Sequence, residues 1–239
     1  MEFNPPLIKA KLLKRYKRFL ADVQFNDGSI VTVHCPNTGS MKNCLVENSD
    51  CWLSSSDNPK RKYRYTWEIA TVLAGKKAGV NTGRANALVA EALDRGLIKE
   101  LQGYTSITKE VPYGEENSRI DFLLSGHPTR NHHACYLEVK NVTYGEVSGQ
   151  GLFPDAVSVR GQKHLRELKS MAEQGQRAVL LYCVQHSGIE WVEVAANVDP
   201  SYAASLHEAV DAGVEVYAYR ATLSANEIVL KEAIPFKNK

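Results

Sequence analysis

Three charged side chains near the middle of the chain have types and a spacing suited to chemistry on phosphodiester bonds: Asp121, Glu138 and Lys140. Glu138 and Lys140 are two residues apart in a predicted strand, so their side chains share one face of it. Asp121 lies in a second short predicted strand, residues 119–124. Pairing of these strands would bring two carboxylates and one ammonium group together, the set that metal-assisted cleavage of a phosphodiester requires.

The ion that suits this set is Mg²⁺ or Mn²⁺, because both prefer oxygen ligands. Asp121 and Glu138 are predicted to bind it. Lys140 is predicted to orient an attacking water or to stabilise the charge that develops on the phosphate. The structural alternative is that Glu138 and Lys140 form an ion pair on the sheet surface and that Asp121 caps a hairpin.

The helices predicted on either side of these strands carry further candidates. Glu91, on the preceding helix, is predicted as an additional metal ligand. Gln162, on the following helix, is predicted as a catalytic residue that holds the phosphate or the water. Arg160 and Lys163, on the same helix, are predicted to contact the DNA backbone, because cations neutralise phosphates.

The elements that position these residues are predicted in the order helix, three strands, helix, strand. The first helix begins at residue 81 or 82 and ends at Gly96, and the second spans residues 159–173. An apolar run at residues 177–184 fits a buried central strand. Residues 145–151 contain three glycines and are predicted as a flexible loop. The tail is predicted to add strands at 191–195, 214–219 and 227–233 and a helix at 201–212.

The first 83 residues have a different pattern, in which short strands alternate with turns. The predicted strands lie at residues 7–25 (two segments), 30–34, 51–54 and 67–71. This spacing predicts an OB-like β-barrel over residues 1–83. The remainder, residues 84–239, is predicted as an α/β domain, so the fold class is mixed α/β.

Charge is distributed unevenly between these two parts. Residues 1–83 contain 13 Lys and Arg against 7 Asp and Glu, a balance of +6, whereas residues 84–239 contain 16 against 20, a balance of −4. The basic part carries two runs in which cations alternate with tyrosines, and both are predicted to bind DNA. The predicted DNA-binding residues of the barrel are Lys14, Arg15, Lys17, Arg18, Lys60, Arg61, Lys62 and Arg64. The alternatives are a merely uneven surface charge and an edge strand protected by lysines.

Other features limit the site chemistry and the cellular location. Residues 34–41 are predicted as a loop whose Asn, Thr and Ser donors could hold a phosphate or a sugar. Cys35, Cys44 and Cys51 lack the paired spacing of zinc ligands and are predicted to be small buried hydrophobes. Five scattered cysteines fit reduced thiols. With no apolar run of about 20 residues and no signal peptide at the start, a cytoplasmic protein without a membrane partner is expected.

Four motifs give the chain a family likeness: residues 34–41, 119–122, 137–141 and 153–165. In them the chain resembles the sugar fermentation stimulation protein A family of bacteria and archaea over essentially its whole length. That family is similar to OB folds in its amino-terminal part and to PD-(D/E)xK nucleases in its carboxyl-terminal part. The resemblance places Asp121, Glu138 and Lys140 at the nuclease motif positions, with Ile120 where many such nucleases have Pro.

The resemblance also implies a partner, because members of that family are described as non-specific DNA-binding proteins linked to regulation of sugar (maltose) metabolism. Two functions follow: a Mg²⁺- or Mn²⁺-dependent DNA nuclease, or a non-catalytic DNA-binding regulatory protein that retains a nuclease fold. The sequence lacks a helix-turn-helix or zinc-finger pattern, which argues against strong sequence specificity. A sugar-binding role has only the family's phenotypic name behind it. The oligomeric state stays open, with a homodimer as one option.

Overall fold

The computed structural model describes residues 1–129 and 134–238. Its amino-terminal part is an OB-like barrel, as predicted. The strands of the barrel are β1 (Ile8–Tyr16), β2 (Leu20–Gln24), β3 (Ile30–His34), β4 (Asp50–Ser55), β5 (Tyr65–Thr71) and β6 (Lys77–Gly79). They follow the order β3-β2-β1-β4-β5-β6, and a further pairing of β3 with β5, at His34 and Thr66, closes the barrel.

Alternation along the strands fills the barrel with apolar side chains. Trp67 is fully buried, and its indole Nε1 donates to the carbonyl of Ile69 at 2.9 Å. Cys44 and Cys51 are buried in the same core, where burial raises the pKa of each thiol to about 12. All five cysteines of the chain are buried thiols outside any disulfide, so the prediction that these barrel cysteines act as small hydrophobes is confirmed.

The second part is a six-stranded sheet with helices on both faces. Its elements are α1 (Ala85–Asp94), β7 (Ser106–Tyr113), β8 (Ser118–Ser125), β9 (Cys135–Val142), β10 (Tyr144–Gly145), β11 (Gln150–Phe153), α2 (Val159–Glu173), β12 (Arg177–Val184), β13 (Trp191–Val194), α3 (Pro200–Asp211), β14 (Glu215–Leu223), β15 (Ile228–Ile234) and β16 (Phe236–Lys237). The main sheet has the order β15-β14-β12-β9-β8-β7. The αβββαβ order predicted from the sequence is present, and β9 and β12 pair in parallel.

The two faces of the sheet have separate cores. On one face, Leu137 and Val139 of β9 pack with the apolar stripe of α1. On the other face, Leu180 and Tyr182 of β12 pack with α2 and α3. Strand β12 is therefore apolar on both sides, as its unbroken apolar run predicted.

Part of the glycine-rich segment predicted as a loop is a strand. Strand β11 pairs with β10 and β13, and β13 pairs with β16, to form a small second sheet. A Cβ on Gly151 would lie 2.6 Å from Ile189 Cγ2. Gly151 therefore permits close packing of backbone against a side chain, and the prediction of a flexible loop was wrong for these residues.

Two of the sets of contacts between the amino-terminal part and the α/β domain fix the positions of β15 and α1. The first residues of the chain lie along the turn before β15, where Phe3 N donates to Asn226 O and Leu7 N to Ala225 O, both at 2.7 Å. The second set surrounds Glu68 of β5, whose buried carboxylate pairs with Arg84, the residue that precedes α1. The start of α1 is thereby fixed to the wall of the barrel.

Candidate functional site

Asp121 lies where strands β8 and β9 separate. Their backbone pairing includes Leu124–Cys135, Leu123–Tyr136 and Phe122–Leu137. At the next position a side chain takes the place of a backbone acceptor in joining the strands, since Asp121 Oδ2 accepts the N–H of Val139 at 2.7 Å. Its other oxygen, Oδ1, accepts the amide of Asn86, which α1 contributes at 2.7 Å. Asp121 is thus held at the junction of two strands and a helix.

Glu138 is the most deeply buried charged group of the site, with 2% of its surface exposed. Its Oε1 accepts Lys140 Nζ at 2.7 Å and also contacts His164 Nδ1. Its Oε2 is buried and has no hydrogen-bond partner within residues 1–129 and 134–238. A buried carboxylate oxygen without a partner is costly, so this atom is the one most in need of a further ligand.

Helix α2 adds two basic side chains, one turn apart. His164 is buried and reaches Glu138 through Nδ1, while Arg160 Nε lies 3.4 Å from His164 Nε2. Because Nε2 faces the Arg160 donor, the contacts favour the tautomer that carries its proton on Nδ1. His164 then joins Lys140 as a second donor to the same Glu138 oxygen.

The two carboxylates are held in different electrostatic states. Burial raises the pKa of Asp121, and the nearby charge of Glu138 raises it further, against the opposing hydrogen bonds from Val139 and Asn86. Burial would also raise the pKa of Glu138, but the Lys140 ammonium and the contact with His164 outweigh it and place that pKa below its ordinary value. Glu138 is the fixed anion of the pair, and Asp121 is the carboxylate that would gain most from an added positive charge.

These residues fit a hard divalent cation with few protein ligands. The described part of the chain has no group of three or more His, Cys, Asp and Glu side chains arranged to hold a metal. Mg²⁺ commonly uses one or two carboxylates and completes its shell with water and phosphate oxygens. Asp121 and Glu138 supply such a pair, and the unpartnered Glu138 Oε2 is the oxygen that a cation would satisfy.

Replacing Asp121 with Asn is expected to raise the melting temperature at pH 7 without added metal, because the new Oδ1 can accept the Val139 N–H and the new amide can donate to a turned Asn86 Oδ1. An acid whose pKa is raised by folding costs stability above its folded pKa, because the folded protein then holds an unfavourable charge. The gain should fade as pH falls through the folded pKa towards the ordinary value of 3.8. Thermal denaturation at several pH values measures it, with Asp211→Asn as the exposed control. A lower melting temperature at pH 7 would contradict this electrostatic account.

The other predicted site residues have partners elsewhere. The Glu91 carboxylate pairs with the amino group of Met1 and with Arg95, one turn further along α1. Gln162 Nε2 donates to both oxygens of Asp199, at 3.0 and 3.2 Å, and so ties α2 to the start of α3. In this structure neither side chain is engaged with Glu138, and their roles stay predictions that mutation can test.

Two residues that contact the predicted carboxylates were missed by sequence reasoning. Asn86, on α1, donates to Asp121, and His164, on α2, contacts Glu138. For His164 a signal existed, because it falls in the buried stripe of α2 with Gly161, Leu165 and Leu168. A polar residue inside an apolar helical stripe faces the sheet, and here it faces β9.

Comparisons with known proteins agree with the arrangement of two domains. A family model described as the sugar fermentation stimulation protein RE domain matches residues 83–227, and one described as the SfsA N-terminal OB domain matches residues 13–80. The chain belongs to the sugar fermentation stimulation protein family. This confirms the resemblance seen in the sequence motifs.

Individual family members match over almost the full length. The sugar fermentation stimulation protein homolog of Teredinibacter turnerae is 60% identical over 235 residues, which is 98% of this chain and 99% of the relative. The homolog of Shewanella baltica strain OS185 is 59% identical over 98% of both chains. A solved structure of Pyrococcus furiosus SfsA in complex with Ca²⁺ superimposes with a TM-score of 0.85 at 26% identity, covering 99% of this chain and 98% of that one.

In this family member the basic residues of the barrel fall into two groups. One group is engaged within the protein: Arg15 Nη2 donates to the carbonyls of Arg18, Asn37 and Gly39 at 2.7, 2.9 and 3.0 Å. Arg61, Arg64 and Lys14 also have partners, in Thr66, Asp57 and Asp22. The other group consists of Lys17, Arg18, Lys60 and Lys62; these side chains are exposed, as are Lys14, Arg61 and Arg64 despite their partners. On helix α2, Lys163 Nζ donates to Glu116 O at 2.8 Å, and Arg160 is exposed.

A cleft of 420 Å³ lies beside the carboxylates, between the two domains. Lys140 and Arg160 line it from the α/β domain, and Asn37 lines it from the barrel loop 34–41. Ser40 Oγ and Met41 N of that loop both donate to Asp155 Oδ2, at 2.9 and 3.1 Å. One of the loop donors predicted to hold a phosphate or a sugar, Ser40, therefore holds a carboxylate of the neighbouring domain. None of the described helices is both long and apolar enough to span a membrane.

Proposed function

We propose that the protein binds DNA without sequence specificity, and that Asp121, Glu138 and Lys140 form a metal-dependent site for hydrolysis of a phosphodiester bond. The observation that carries this proposal is the buried Glu138 Oε2, which has no partner in the described structure and lies beside a second carboxylate and an ammonium group. The family's name adds a link to regulation of sugar (maltose) metabolism as a proposed physiological setting.

Each side chain has a defined part in this proposal. A bound Mg²⁺ or Mn²⁺ supplies polarisation of the scissile phosphate and acidification of a water molecule. Asp121 and Glu138 hold that ion, and Lys140 positions the attacking water or the phosphate, since its ammonium already lies 2.7 Å from Glu138. Arg160, exposed at the cleft, binds a phosphate of the same strand. His164 keeps Glu138 ionised and fixed in position.

A relative supports the choice of a hard cation. The matched structure of the Pyrococcus furiosus protein is described as a complex with Ca²⁺. Ca²⁺ and Mg²⁺ both bind oxygen ligands, although Ca²⁺ takes more of them at longer distances. The pair Asp121 and Glu138 supplies such oxygens in this chain.

A cleavage assay tests the catalytic half of the proposal. Single-stranded and double-stranded DNA are incubated with the purified protein in Mg²⁺ or Mn²⁺, and parallel samples contain a chelator. Product is expected only with the metal. Equal product in the chelated samples would indicate a contaminating or metal-independent activity and would contradict the proposal.

Reversing the charge of Lys60 and Lys62 to Glu is expected to weaken DNA binding roughly tenfold at low salt. Both side chains are exposed and lie in the run that alternates cations with tyrosines. Each lost phosphate contact lowers the slope of log K against log salt by about 0.9, so the slope should fall by about 2. Fluorescence anisotropy over a salt series measures both quantities.

The matched control for that experiment is reversal of Lys99 and Lys231, two exposed cations of the α/β domain. It changes the net charge by the same amount at positions outside the barrel. If both double variants lose affinity equally, the effect is one of net charge alone, and the barrel surface is not the DNA contact.

One feature favours the second candidate, a DNA-binding protein that retains the site without catalysis. The Lys140 ammonium already balances the charge of Glu138, His164 contacts the same oxygen, and Asn86 and Val139 occupy both oxygens of Asp121. Such a cluster is stable without a metal. Calorimetric titration with Mn²⁺ separates the candidates, because the non-catalytic protein would bind DNA and show no metal binding.

A further inference from the structure

The 420 Å³ cleft opens next to the proposed metal site and is built from both domains. Lys140 connects the cleft with the proposed metal site, because its ammonium donates to Glu138 while its side chain lines the cleft. A ligand in the cleft would therefore lie one side chain away from the reacting phosphate. This position makes the cleft part of the substrate path.

Besides the carboxylate of Asp155, which accepts hydrogen bonds from Ser40 and Met41, the walls of the cleft have three kinds of surface. Lys140 and Arg160 are cationic, as a phosphate requires. Tyr144 and Phe153 form an apolar, aromatic part that suits the face of a base. Asn37 and Thr82 carry the amide and hydroxyl groups that bond base edges. Phosphate, ring and polar edge are the three parts of a nucleotide.

The barrel side of the cleft is rigidly held. Asn37 is buried, and its carbonyl accepts Arg15 Nη2 at 2.9 Å. Gly39 follows with its carbonyl on the same guanidinium at 3.0 Å, and a Cβ at Gly39 would lie 3.0 Å from both Asn37 Oδ1 and Asp155 Oδ2. A wall fixed in this way forms the cleft before a ligand arrives, which lowers the cost of binding.

The volume of the cleft limits how much nucleic acid can enter it. A volume of 420 Å³ is near the lower end of the roughly 300–1,000 Å³ of small-molecule sites. One nucleotide fits such a space, whereas a stack of base pairs does not. We infer that the cleft holds one unpaired nucleotide of the DNA strand that is cut. The substrate class is then DNA with an unpaired nucleotide beside the scissile bond, in place of a continuous duplex. This inference rests on the proposed function.

The test compares binding to three DNA probes in the presence of a chelator, so that cleavage plays no part. The probes are a fully paired duplex, the same duplex with one unpaired nucleotide, and the single strand. The unpaired and single-stranded probes are expected to bind about tenfold more tightly than the duplex, the effect of one stacked base. A 2-aminopurine at the unpaired position should also change its fluorescence when the wild-type protein binds.

A cleft-filling variant supplies the second arm. Thr82 is half-buried at the cleft, and its hydroxyl makes one long contact, 3.5 Å to Pro36 O. Thr82→Tyr is expected to reduce the preference to less than about twofold, and Thr108→Tyr, the same change at an exposed position of strand β7 away from the cleft, should keep it. Leu152→Trp fills the cleft from strand β11 and serves if Thr82→Tyr fails to fold.

The outcomes separate this inference from the proposed function. Equal binding to all three probes, or an unchanged preference in a folded filled variant, would overturn the nucleotide cleft and leave DNA binding intact. Absence of any DNA binding would overturn both. A preference that only the filled variants lose supports the inference.

Discussion

Replacing Glu138 with Gln is expected to lower metal-dependent DNA cleavage more than about 100-fold. Mutation of a residue that only orients a metal ligand lowers metal affinity or activity about 10–100-fold, and Glu138 would bind the ion directly. Gln keeps the shape of the side chain and removes the charge that pairs with Lys140 and accepts the contact from His164. Calorimetry with Mn²⁺ provides a readout besides activity, in which the variant should show no heat of metal binding.

The control for this prediction is Glu208→Gln, because Glu208 is an exposed carboxylate of α3 that pairs with Lys169. It should bind metal and cleave like the wild-type protein. Metal binding retained by Glu138→Gln would show that the ion lies elsewhere and would remove the basis of the proposed site. Glu91→Gln, measured alongside, decides whether Glu91 is a ligand despite its ion pair with Met1.

Replacing Glu68 with Ala is expected to lower the free energy of unfolding by about 2–4 kcal/mol. Glu68 is completely buried and accepts hydrogen bonds from Ser54, Asn81 and Arg84, at 2.7, 2.9 and 2.9 Å. Removing one member of a buried pair costs about 3–5 kcal/mol, reduced here because a third of the Arg84 side chain, 35%, is exposed. Urea denaturation followed by circular dichroism measures the loss.

Glu47→Ala is the matched control, since Glu47 is an exposed carboxylate of the same barrel. Its effect should stay within about 0.5 kcal/mol. A Glu68 variant as stable as the wild type would mean that solvent reaches Arg84 and that the pair contributes little to the contact between the domains.

The sequence predicted the elements that carry strong local signals. Helix α2 begins and ends at the predicted residues because Ser158 caps it, accepting the N–H of Gly161 at 3.0 Å, and Gly175 ends it with a positive φ of 79°. Strand β11 was missed because its four residues are held by pairing with β13, about 40 positions along the chain. A strand of four residues depends on its partners, and its longer pairing, with β13, joins residues too far apart in the sequence for a local pattern to predict it.

In the site, too, the contacts set by local sequence pattern were predicted, and those set by tertiary packing were missed. Alternation along β9 placed Glu138 and Lys140 together, and the structure confirms their contact at 2.7 Å. His164 was missed because hydrophobic periodicity treats any polar residue as exposed, although this one faces a buried carboxylate. Arg15 was grouped with the surface cations for the same reason, and its three carbonyl partners become neighbours only after the barrel closes.

Asp155 of the α/β domain accepts hydrogen bonds from Ser40 and Met41 of the barrel loop, so the two domains form the cleft together. Neither half of the chain contains a whole cleft, so a barrel or an α/β fragment expressed alone would have an incomplete one. Substitutions at positions 40 and 155 should accordingly occur in pairs among relatives, because a carboxylate without its hydroxyl, or the reverse, loosens one wall of the cleft. The two domains of this family would then be inherited as a matched pair, each adapted to the loop that the other presents.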